Sequence, residues 1–78
     1  MKYLLLTKAK WDAADKKAST ALNIPNDRAK KYARYSQVTN TANPSYGKYI
    51  FPVMLTGPWA CGELFPDAED WSDSWITT

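Results

Sequence analysis

The stretch KYLLLT (2–7) is apolar on both of its alternating faces, which predicts a short strand covered on both sides. Thr7 then fits a helix N-cap, because its hydroxyl can accept from an unpaired N–H of the first turn. From residue 8 to residue 22 the period becomes helical: Trp11, Ala14, Ala18 and Leu22 share one stripe, with Ala21 beside it. So many alanines let the helix approach a sheet closely, while Trp11 and Leu22 supply most of the burial. Asp12 and Lys16, four residues apart, predict an ion pair on the outer face. Asn23 and the Ile24-Pro25 step stop the helix.

Residues 25–31 read as a polar connection or a single helical turn. Residues 32–38 alternate as a strand does, and 39–47 are dense in turn formers, with Pro44 at the second position of a type I turn. KYIFPVML (48–55) alternates again, placing Tyr49, Phe51 and Val53 opposite Ile50 and Met54. Pro52 cannot donate to a ladder, so this strand belongs at a sheet edge or a bulge. Residues 32–55 therefore predict an antiparallel hairpin with a long loop. After TGP the pattern loses any period. The expectation is one α+β domain over 1–78 of order β-α-β-β, with one helix on a short antiparallel sheet. Residues 1–56 form its body and 57–78 an acidic, irregular, Trp-rich tail.

Composition sharpens this picture. Seventy-eight residues lie near the lower limit for independent folding, where a core supplies about 3–5 kcal/mol of net stability. The single cysteine, Cys61, excludes an internal disulfide, and the lack of histidine argues against a structural zinc site. Four Trp, five Tyr and two Phe remain as the means of burial. The apolar run at 3–6 is too short for a secretion signal or a membrane span, which predicts a protein made and used without export by that route. Net charge is +2 but divided: residues 1–50 carry all ten Lys/Arg against Asp12, Asp15 and Asp27, and residues 51–78 carry five acids and no base. Such halves suit an interaction tail, or two segments lying against each other.

Catalytic chemistry finds little footing. Without histidine, Ser-His and Cys-His pairs are unavailable. Cys61 has Glu63 as its nearest charge rather than the positive neighbour a thiolate needs. DAEDWSD (67–73) lacks the glycine-centred pattern of a calcium loop, and the three glycines are too scattered for a phosphate loop. No catalytic, cofactor or metal residue is assigned, and no small-molecule substrate. Two binding surfaces are. Arg28, Lys30, Lys31 and Arg34, interleaved with Tyr32 and Tyr35, form a candidate nucleic-acid contact, weakened by the opposite strand parity of the two tyrosines. Trp59, Phe65, Trp71 and Trp75 form a candidate protein interface, with Trp59 and Trp71 turned inward and Trp75 toward a partner or a second copy.

The blocks YLLLTKAKWDAAD, ALNIPND, KYARYSQV and GKYIFPV, with DSW near the end, resemble in layout a type of small protein encoded by tailed bacteriophages. None of these blocks is a functional signature, so no site residue is carried over. The resemblance implies a virion-associated or morphogenetic protein, made in the host cytoplasm and bound to a capsid or tail protein or to copies of itself. A small modulator that binds a host protein is the alternative, and nucleic-acid binding through 28–35 is the third reading.

Overall fold

A computed structural model of the chain describes residues 2–31 and 36–70. Strand β1 (Lys2–Leu6) leads through Thr7 into helix α1 (Lys8–Leu22), followed by β2 (Tyr49–Val53), a short 3-10 turn at Gly62–Leu64, and β3 (Glu69–Asp70). The protein is a small α+β domain, one helix on a three-stranded antiparallel sheet of order β2-β1-β3.

The helix ends as the sequence requires. The Thr7 hydroxyl accepts from the Lys10 N–H, and Asn23 closes the C-terminus in the left-handed region (φ 54°), its N–H reaching the Ser19 and Thr20 carbonyls. Strand β1 is central, which explains its two apolar faces. Leu4 and Leu6 pack toward the helix with Trp11, Ala14, Ala18, Phe51 and Val53, while Tyr3 and Leu5 pack on Val38 and Ile50. Pro52 sits opposite Tyr3 in β2, an outer strand. It shares the parity of Ile50, whose N–H points away from β1 to Ser36, so the missing proline donor costs the β1–β2 ladder nothing.

Three features differ from the sequence expectation. Positions 32–35 lie outside the described residues, and the rest of the predicted 32–38 strand makes one bridge, Gln37 opposite Tyr49. The last strand comes instead from the tail: Glu69 and Asp70 pair with Tyr3 and Lys2. The predicted Asp12–Lys16 pair gives way to a bond from Lys30 to Asp12. The long loop behaves as read, with Tyr46 N–H donating to the Asn43 carbonyl across a turn that has Pro44 in second position.

Candidate functional site

The 26–31 turn carries most of the candidate cations, and a single carboxylate fixes it. Asp15 is buried on α1 (3% exposed), where it accepts from the Asp27 N–H (2.8 Å) and the Lys30 N–H (3.2 Å). Its backbone carbonyl accepts from the buried Ser19 hydroxyl. Between those two bonds Asp27 takes a left-handed φ of 73°, a region that aspartate tolerates better than most residues.

Asp15 thereby sorts the basic residues by direction. Lys30 is drawn inward: its Nζ lies 2.6 Å from Asp12 and 2.8 Å from Asp27, and 4.5 Å above the Trp11 ring. The hydrogen bonds it donates to Asp12 and Asp27, in that order, hold this ammonium well above the ordinary lysine range against its desolvation. Lys30 in turn holds the Asp27 carboxyl below its usual range. Beneath, the Trp11 indole N–H donates to the Ile50 carbonyl (3.0 Å) and its ring tilts against Tyr49. Arg28 and Lys31 are exposed, and neither joins an ion pair among the described residues. Arg34 lies outside the described residues.

The opposite wall is the 54–61 loop. Its base is pinched by the Cys61 N–H donating to the Met54 carbonyl (2.9 Å), and its tip by Ala60 N–H to the Gly57 carbonyl (3.2 Å). Gly57 enters that turn at φ +93°, where a side chain would strain the backbone. Buried Cys61 anchors the loop, and burial pushes its thiol up, partly offset by a backbone hydrogen bond from Met54. The half-buried Trp59 at the tip lines two clefts. One, of about 470 Å³, is shared with Asn26, Asp27, Arg28 and Lys31; the other, of about 340 Å³, with Met54, Thr56, Gly57 and Pro58. Leu55 next door is 52% exposed.

Sequence reasoning put Trp59 in a protein interface and Arg28 and Lys31 in a nucleic-acid contact; the structure brings the three into one cleft. Phe65 belongs elsewhere. It packs on Phe51 of its own chain, with ring centroids 5.0 Å apart, under Lys17, whose Nζ also donates to the Leu64 carbonyl. Trp71 and Trp75 lie outside the described residues. The acids Asp67 and Glu69 line a separate cleft with Tyr3, Leu4 and Leu5, where the Tyr3 hydroxyl donates to Glu69 (2.9 Å). Sequence reasoning missed Asp15 as the organiser, although an aspartate bordering the apolar stripe and followed four residues on by Ser19 was a usable signal.

Among the described residues no cluster of three or more metal-ligating side chains occurs, and no helix is long and apolar enough to cross a membrane. No protein-family model matches the chain, and comparison with curated proteins and with solved structures likewise returns no match.

Proposed function

We propose that this protein is a non-enzymatic accessory component of a tailed-phage particle, capsid- or tail-associated, that works by protein–protein contact through its 54–60 loop. The observation that carries this reading is the exposed Leu55 beside the apolar Met54–Pro58–Trp59 cleft, held on a loop braced at base and tip. A braced loop loses little conformational freedom on docking, and an aromatic flanked by aliphatic groups is the usual centre of an interface. The layout shared with small tailed-phage proteins supports the particle as the place of that contact. The partner is a larger structural protein of the particle.

The test is incorporation. Purified virions should contain the protein by quantitative mass spectrometry, and Leu55→Asp should lower its copy number roughly thirtyfold, the effect of losing a central anchor. Leu55 is exposed, so circular dichroism of the variant should match the parent. Absence of the parent protein from particles refutes the reading, and so does undiminished incorporation of a folded Leu55→Asp variant.

A further inference from the structure

The cleft on the other side of Trp59 has a different chemistry. Its walls are Asn26, Asp27, Arg28 and Lys31 from one turn and the Trp59 indole from the facing loop. Among its described residues, Asp27 pairs with Lys30 through Oδ1 while its side chain stays 59% exposed, so the lining offers two cations, Arg28 and Lys31, against one paired carboxylate. Its volume of about 470 Å³ falls within the roughly 300–1,000 Å³ of small-ligand clefts. Two cations beside an aromatic plane suit a ligand that is flat and anionic at once.

We propose that the Arg28–Lys31–Trp59 cleft binds single-stranded nucleic acid, an unpaired base stacking on Trp59 while Arg28 and Lys31 hold the phosphates that flank it. Stacking on an indole requires a base with a bare face, which a duplex does not offer. The same requirement separates this site from one for phosphate alone. Of the acidic half, Glu63 lines a separate cleft with Leu55, Ala60 and Gly62. Asp67 and Glu69 stand in the cleft beside Tyr3, and β3 pairs with β1 on the side away from β2. Lys30, the central base of the cationic run, takes no part, because Asp12, Asp27 and the Trp11 ring enclose it. Asn26 adds an exposed amide able to meet a base edge or a phosphate.

The experiment is fluorescence anisotropy of a labelled oligothymidylate of about ten nucleotides with the full chain at about 20 mM salt, where release of counterions is most favourable. Binding should weaken with salt, and Arg28→Ala/Lys31→Ala should flatten the log–log salt slope by about 1.4, two phosphate contacts on a single strand. Trp59→Ala should weaken binding roughly five- to a hundredfold and Trp59→Phe far less. An abasic oligonucleotide tested on the unaltered chain should show the same loss, which keeps the stacking claim falsifiable if Trp59→Ala fails to fold.

Several results overturn the proposal: no binding at low salt, a salt slope unmoved by the double substitution, or abasic and duplex probes binding as tightly as the oligothymidylate. Displacement by inorganic phosphate or by polyglutamate as effectively as by unlabelled oligothymidylate also overturns it, the first meaning a bare phosphate site and the second an acidic-protein site. Leu55→Asp leaves this cleft intact, so the particle reading and this one fail separately.

Discussion

Replacing Asp15 by alanine should come close to unfolding this protein, because Asp15 holds the 26–31 turn against the helix. The carboxylate accepts two backbone N–H groups of the 26–31 turn, and one of them, on Lys30, is buried. A hydrogen bond to a charged group contributes about 1.5–3 kcal/mol, and an orphaned buried donor carries a desolvation cost of the same order. Relief of the buried carboxylate's own desolvation pulls the other way, so the low end applies, about 3 kcal/mol for the pair. A domain this small holds about 3–5 kcal/mol in all. Asp15→Asn keeps one acceptor oxygen and turns an amide NH2 on the other donor, which should cost about half as much. With a urea slope of about 1 kcal/mol/M, the midpoint should fall by about 3 M for alanine and 1.5 M for asparagine. Far-UV circular dichroism follows the helix, and tryptophan fluorescence follows Trp11, which lies under the Lys30 ammonium. An Asp15→Ala midpoint within about 0.5 M of the parent, about 0.5 kcal/mol at that slope, would refute the reasoning, since that is the range of surface substitutions that touch nothing.

Two further predictions concern the edges of the fold. Partial burial, then the Glu69 hydrogen bond and charge, push the Tyr3 phenol above its ordinary value, so the folded chain holds that proton more tightly than the unfolded one. Stability from this source is complete below about pH 10 and is lost as pH rises through the folded value. Raised Lys30 acts in the same direction, so Tyr3→Phe should make the fall in melting temperature above pH 10 shallower without abolishing it; an identical slope in the variant would count against the Tyr3–Glu69 tie. Cys61, buried with its thiol pushed up, should react with iodoacetamide at about pH 8 on the order of a hundredfold more slowly than in urea, because reaction waits on local opening. Equal rates would show that the 54–61 loop is not anchored as described.

How much of this was legible in the sequence depended on whether a residue's role was local. Helix α1 was readable over 8–22, with Thr7 and Asn23 as its caps, because capping and period are decided within a few neighbours. Pro52 announced an outer strand for the same reason. The buried face was only partly readable. Trp11, Ala14 and Ala18 were on the stripe, but Asp15 and Ser19 are buried too, and Ala21 is exposed. The helix is rotated toward the 26–31 turn, and a stripe of small apolar residues gives no warning of that. Strand β3 was invisible, since two consecutive acids have no alternation to detect; it exists because β1 offers an edge and Tyr3 a hydroxyl. The cleft was half legible. Its cations and its tryptophan each stood out, but nothing local says that positions 28, 31 and 59 meet.

The central place of β1 bears on how the chain is made. It is translated before both of its neighbours, and its contact with Glu69 joins residues 66 positions apart in sequence. Pairings between such distant segments are slow to form. While the rest of the polypeptide is still emerging from the ribosome, KYLLL has no partner strand on either side, and an unpaired apolar strand is an aggregation hazard. Helix α1 can form early and shield one face, but the hydrogen-bonding edges wait for Tyr49–Val53 and then for Glu69–Asp70. The sheet therefore closes only after residue 70 has emerged. A nascent chain stalled before residue 69 leaves β1 open on one side, a form that chaperones and proteases would meet before any partner does.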